Sequence, residues 1–296
     1  MLEQNRSAPD DDDGEQATLD LLASGELEIE GRLVDASNAT LYCTIRTNGR
    51  IPEAPKIQKA PKIPAATKIP KATKALKNQK TARTARTTRV PGVSAGQVAC
   101  VYKPIAGERP LWDFPMGTLA GREVAAYVVS RAARWDVVPP TVMRDGPFGP
   151  GMCQLWIDAD ATADLIALAR SSDHHQLRDM AVFDAVVNNA DRKIGHLLPL
   201  PGGQLYGCDH GVCFGEEYKL RTVLWQWRGR RLPGRAMQAL ARLQAKMASG
   251  DLAEELAALL SPAEVRATSD RVDLLIQHRV HPYPPENWPA VPWPPV

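Results

Sequence analysis

Apolar and polar residues alternate in ELEIEGRLV and again in LYCTI, on either side of DASNAT. A period of two interrupted by turn formers predicts a strand–turn–strand unit. Alternation resumes at QVACVYKP, which ends in Lys103 and a proline. The period then changes. TLAGREVAAYVVSRAARW puts Val124, Tyr127, Val128 and Ala132 on one face, which predicts a helix with Thr118 as its N-cap. VVPPTVMRDGPFGPGMCQLWID reads as two short strands around a Pro/Gly turn. Its GPFGPG lacks both the G-x-G-x-x-G spacing and a following helix, so a hairpin turn is the better reading than a phosphate loop.

From Thr162 the pattern is helical. ATADLIALAR forms one short helix, and DHHQLRDMAVFDAVVNN forms another, capped by Asp173. NADRKIGH follows, then two short apolar runs around PGG, then DHG. LPGRAMQALARLQAKMA and DLAEELAALL come next. SPAEVRATSDRVDLLIQHRV is the last helix; Ser261 and Glu264 form a capping box with Pro262 at the first helical position. The tail HPYPPENWPAVPWPPV should pack back onto the body through its tryptophans. Strands with one helix, followed by a helical half, make an α+β, compact two-lobed layout rather than alternating βαβ units. The expected divisions are a disordered acidic tail over 1–18, a sheet lobe over 19–158, a helical lobe over 159–281 and the Pro/Trp-rich tail over 282–296.

Charge changes this picture at one place. Between Arg46 and Val90 there are 8 lysines and 5 arginines against a single acid, Glu53, a net +12. The remaining 23 basic and 33 acidic residues sum to −10. The basic segment is low in complexity and has no amphipathic period, which predicts a disordered insertion over 46–92 within the strand pairs. Through 46–90 it would hold nucleic acid or another acidic partner by releasing counterions. Five scattered cysteines, never in C-x-x-C spacing, argue against a disulfide framework or zinc knuckle and for a reducing, cytoplasmic setting. No run approaches the roughly 18 apolar residues of a membrane span.

The chemistry sits in the spacing of a few charges. Phosphoryl transfer from ATP needs a lysine on the phosphates, a glutamate to orient it, an aspartate for the acceptor hydroxyl and ligands for a divalent metal. Those parts occur in that order: Lys103 on a strand, Glu123 in the following helix, Asp191 in NADRKIGH, and Asp209 in DHG 18 residues later. Each alone has a bland reading. An isolated strand lysine is usually a surface charge, and Asp191 alone would be a turn residue.

Together the set resembles the atypical protein-kinase-like superfamily that includes phosphoinositide kinases, HipA-type kinases and secretory-pathway kinases. YKPIAGERPLWDFP, GTLAGREVAAY and NADRKIGH are similar to an actinobacterial family related to phosphoinositide kinases by distant similarity. The resemblance implies a protein-kinase-like (PI3/4-kinase-like) fold, with an antiparallel-sheet N-lobe carrying one helix and a mostly helical C-lobe. It implies ATP with Mg²⁺ or Mn²⁺ between the lobes, and phosphoryl transfer to a hydroxyl of a protein, lipid or small molecule. Asp191 and Arg192 fall on its catalytic loop, and Asp209 and His196 on its metal ligands. Lys103, Glu123, Ser37 and Asn38 fall on its phosphate side, with Gln154, Leu155 and Trp156 at the hinge. His196 stands where those kinases carry asparagine, and an imidazole ligand favours Mn²⁺ over Mg²⁺. DASNAT offers hydroxyls instead of phosphate-loop glycines. Three other readings stay open at this point: a pseudokinase or nucleotide-binding scaffold, transfer of AMP instead of phosphate, and a nucleic-acid-associated protein acting through the insertion.

Overall fold

The computed structural model describes residues 10–33, 38–46, 93–94 and 97–296. A helix, α1 (Asp10–Ser24), leads into six strands: β1 (Glu26–Arg32), β2 (Leu41–Arg46), β3 (Val93–Ser94), β4 (Gln97–Pro104), β5 (Thr141–Gly146) and β6 (Gly149–Leu155). They form one antiparallel sheet in the order β1-β2-β4-β6-β5, with β3 beside β4. The alternating stretches are strands for the expected reason. In β4, Val98, Cys100 and Tyr102 are buried while Gln97, Ala99, Val101 and Lys103 are less so.

The acidic tail expected up to residue 18 is corrected from Asp10 onward, where the chain is helical. Leu19 and Leu22 give α1 an inward stripe, and Leu22 joins the sheet core of Leu41, Ile45 and Tyr102. Tyr127 donates to Glu15 at 2.5 Å, fixing α1 to the next helix. At the exit of α1 a side chain on Gly25 would strike Ile45 and the Leu21 carbonyl, so the tight turn into β1 requires glycine. Residues 47–92 of the basic insertion lie outside the described residues.

Between β4 and β5 runs α2 (Leu119–Ala133). After β6 come α3 (Leu165–Arg170), α4 (His175–Val187), the hairpin β7 (Leu197–Pro199) and β8 (Leu205–Gly207), then α5 (Gly234–Ser249), α6 (Asp251–Ala257) and α7 (Pro262–His278). Helices α2 and α4 are buried along most of their length in a second core with Leu240, Leu243, Leu256 and Val272. The Ser261–Glu264 capping box of α7 is present, with Pro262 at its start. Two caps differ from expectation. Thr118 makes no side-chain cap bond; the Glu108 carboxylate accepts from the Leu119 and Ala120 N–H groups instead, where negative charge is favoured. Helix α4 is capped by His174, whose Nδ1 accepts from Leu177 N, and not by Asp173.

The C-terminal tail packs back as expected through Trp288, stacked on Trp112 at 5.7 Å, while Trp293 stays exposed. Among the described residues no helix is long and apolar enough to cross a membrane.

Candidate functional site

Strand β4 carries Lys103 on the face opposite Tyr102, and α2 carries Glu123 beneath it. The Lys103 ammonium lies 2.5 Å from Glu123 Oε1 and 3.0 Å from Asp209 Oδ1. Glu123 is buried, and its second oxygen accepts from the His210 backbone N–H at 2.8 Å. One carboxylate therefore orients the lysine and also anchors the DHG segment. Asp209 adopts φ +62, a left-handed conformation that Asp and Asn tolerate better than most residues.

Electrostatics follow from this packing. Burial opposes the Lys103 charge, but Asp209 and Glu123 outweigh it and hold the ammonium above its ordinary pKa. Burial raises Glu123, with Lys103 pulling the other way. Lys103 holds Asp209 well below the usual carboxylate range. Lys103 and Asp209 are thus an ion pair at neutral pH.

Asp191 follows the left-handed cap of α4 at Asn188. Its N–H donates to Asn189 Oδ1 at 2.9 Å and its carboxylate pairs with Lys193 at 3.0 Å. Burial raises its pKa, against the pull of Lys193. His196 ends a short 3₁₀ turn (Ile194–His196) and directs Nε2 to within 3.6 Å of Asp209 Oδ2. Burial pushes the imidazole down to about 4, with Asp209 opposing, so the ring is a neutral donor near pH 7. One donor atom each from Asp191, His196 and Asp209 lies within 4.8 Å of the other two. Two carboxylates and an imidazole fit a divalent cation of mixed N/O preference, such as Mn²⁺, better than the all-oxygen shell Mg²⁺ prefers.

Arg192, expected on the catalytic loop, is buried. Its guanidinium is fully inaccessible, bonded to Asp184 through Nη2 at 2.8 Å and through Nε, to the Cys208 carbonyl, and to His210 Nε2 at 2.7 Å. It hangs the Asp191 loop and the DHG segment on α4 from behind. Asp184 had a sequence signal that went unread, a lone acid inside the apolar run MAVFDAVV. His210 packs edge-on against Phe183, and burial holds it neutral.

The remaining candidates are less engaged. Ser37 lies outside the described residues. Asn38 Oδ1 accepts from Arg109 N at 2.9 Å, which ties the β1–β2 turn to the loop before α2. Gln154 turns inward to Thr141 at 2.9 Å, and Leu155 is buried. The N–H groups of Leu155 and Trp156 already donate to Pro140 and Ala99. Neither is free to read a purine base, so that segment offers apolar surface and not backbone donors.

No protein-family model matches the chain. It is 38% identical over 308 residues to protein Rv2133c of Mycobacterium tuberculosis, an alignment covering 93% of this chain and 94% of that protein. The fold is similar to the Golgi casein kinase with Mn/ADP bound, at TM-score 0.51 and 12% identity over 90% of this chain and 75% of that one. Hydra Fam20 with sugar matches at TM-score 0.51 and 12% identity over 94% and 91% of the two chains. These likenesses show a kinase-like fold.

Proposed function

The chain belongs to the same family as protein Rv2133c of Mycobacterium tuberculosis, and from its site we propose an ATP-dependent phosphotransferase that uses Mn²⁺ or Mg²⁺ and phosphorylates a hydroxyl. The observation that carries this reading is the Lys103–Glu123–Asp209 junction, whose members come from positions 20 and 106 apart in sequence. A half-buried lysine held between two carboxylates of different exposure costs desolvation, and a surface charge would not need it. The Golgi casein kinase relative in fold was solved with Mn/ADP.

On this reading the sheet with α2 forms one lobe (19–158) and α3 to α7 the other (159–281), with nucleotide between them. Lys103, oriented by Glu123, binds phosphate oxygens. Asp191 accepts a hydrogen bond from the acceptor hydroxyl and aims it. Asp209 and His196 would hold the metal, with Asp191 beside them. The ion supplies positive charge that neutralises phosphate oxygens as charge develops. Arg192 does not touch substrate; it positions the loop. The acceptor class stays open among protein, lipid and small molecule. All five cysteines are free, in keeping with a reducing, cytoplasmic setting.

The test is ATP turnover in Mn²⁺, followed by intact mass of protein and acceptor fractions. Release of ADP with a transferred phosphoryl group, lost in Lys103→Met and Asp191→Asn, supports the proposal. Transfer of AMP would keep the site but change the reaction. His196, standing where the resemblance to phosphoinositide kinases implies asparagine, favours one second reading, a scaffold that binds nucleotide without turning it over. Tight Mn²⁺–ATP binding with no product in any fraction would establish that reading instead.

A further inference from the structure

The other end of α4 carries a second concentration of charge that the phosphotransfer reading does not use. The loop before α5 reads RGRRLPGR, with Arg228, Arg230, Arg231 and Arg235 and not one lysine. Backbone pairing brings it against the start of α4 and the end of α7. Gly229 N donates to the His281 carbonyl at 2.9 Å, His281 N to Arg230 O at 2.9 Å, and Leu232 N to Arg279 O at 2.8 Å. Arg178, in the first turn of α4, donates to the Arg231 carbonyl and to His281 Nε2. Six arginines therefore gather where these segments meet: Arg178, Arg228, Arg230, Arg231, Arg235 and Arg279.

Counter-charge is sparse. Asp179 pairs with Arg235 at 2.8 Å. Among the described residues no carboxylate forms an ion pair with any of the other five. Burial, then Arg235 and Arg230, lowers the pKa of Arg178, with only Asp179 opposing. Gathering like charges in this way works against the folded state unless an anion answers them. Arg178 is half-buried and the other five are exposed.

The choice of residue narrows the anion. Guanidinium forks match phosphate oxygens in pairs and stack on flat rings, which ammonium groups do not. Within the cluster Tyr283 is 64% exposed, and its hydroxyl lies so close over Gly229 that a side chain there would collide with it. The hydroxyl end of its ring thus lies over the backbone that joins Arg228 to Arg230. The apolar residues of the stretch, Trp227 and Leu232, are turned inside and offer no wedge for a bilayer. We propose that this face, with its six arginines around the exposed ring of Tyr283, binds single-stranded nucleic acid. The arginines hold successive phosphates and Tyr283 stacks on a base. Helix α4 separates it from Asp191 by about 20 Å, at about 1.5 Å per residue. The inference stands apart from phosphoryl transfer and holds whether or not the chain turns over ATP.

The test uses the full chain and fluorescein-labelled 20-mers of oligo-dT and oligo-rU, read by anisotropy across a salt series. The insertion is the same in every variant, so differences report this face. Arg228→Gln/Arg230→Gln/Arg231→Gln should weaken binding at least about tenfold. It should also reduce the slope of log affinity on log salt by about 2, since each single-strand phosphate contact contributes about 0.7. Tyr283→Ala should weaken binding several-fold and leave the slope unchanged, and it provides the readout if the triple variant does not fold. Unchanged affinity in Tyr283→Ala, or in a folded triple variant, overturns the proposal. So does wild-type binding to phosphatidylglycerol vesicles or polyglutamate that matches or exceeds oligonucleotide binding.

Discussion

Arg192 and Asp184 form an ion pair whose two side chains are both wholly inaccessible, joined at 2.8 Å eight residues apart. Asp184 also accepts from Asn189 Nδ2 at 3.0 Å, and Arg192 reaches the Cys208 carbonyl and His210. The pair thereby fixes both acidic strands of the site, Asp191 on one side and Asp209 on the other. Replacing Asp184 by Asn would leave a buried guanidinium without its counter-charge. The expected loss is about 3–5 kcal/mol of unfolding free energy. Urea denaturation of Asp184→Asn checks this, and a loss below about 1 kcal/mol would show that the pair is not needed.

His196 faces Asp209, at the position where the resemblance to phosphoinositide kinases implies asparagine. Nitrogen ligands suit Mn²⁺ better than Mg²⁺, which keeps an oxygen shell and dehydrates reluctantly. ATP binding should accordingly be tighter with Mn²⁺ than with Mg²⁺ in the native protein. His196→Asn should narrow or reverse that preference. Calorimetric titration of both proteins with both metals measures it, and an equal metal ratio in the two would remove His196 from the ligand set.

A different histidine sets a pH dependence of stability. His281 Nε2 accepts from Arg178 at 3.2 Å, and its ring stacks on Trp227. Burial, reinforced by Arg178, pushes its pKa down to about 4. Between the ordinary value near 6.5 and about 4 the unfolded chain takes up a proton that the folded chain refuses. Stability should therefore fall as pH drops through that window and level off below it, by up to about 3 kcal/mol from this group. His281→Gln keeps an acceptor for Arg178 but cannot titrate. Its stability relative to wild type should rise between pH 7 and pH 4, and parallel profiles would refute the assignment.

Besides the bonds that its Ala290 and Pro295 carbonyls accept from Thr222, Trp225 and Ile194, the tail contributes one ring. Trp288 stacks on Trp112, and the Lys219 ammonium lies 4.7 Å from its centroid while pairing with Asp113 at 2.9 Å. Trp288→Ala should cost about 1–2 kcal/mol, from the lost stack and cation–π contact. Thermal denaturation of the single variant would show it, and an unchanged midpoint would mean that the tail lies on the body without holding it.

Much of this was legible because local rules and tertiary packing agree. Period-two alternation marked β1, β2 and β4, and Ser261, Pro262 and Glu264 marked the start of α7. The order of Lys103, Glu123, Asp191 and Asp209 along the chain points to the site residues. What was missed depends on partners distant in sequence or hidden by a stronger local signal. The aspartate run that opens α1 masked the Leu19 and Leu22 stripe. Glu108 took the cap from Thr118 because a carboxylate from the preceding loop could reach two N–H groups. Arg192 looked functional beside Asp191, since nothing adjacent to it in sequence shows that it turns inward to Asp184.

The central claim is that Asp191, His196 and Asp209 close around a divalent ion next to a nucleotide held by Lys103. Diffraction at the manganese edge from crystals grown with Mn²⁺ and ADP tests it most directly. The account predicts an anomalous peak among the side chains of these three residues, with the diphosphate beside Lys103. A nucleotide bound elsewhere, or no peak within reach of Asp209 in crystals that contain ADP, would contradict it.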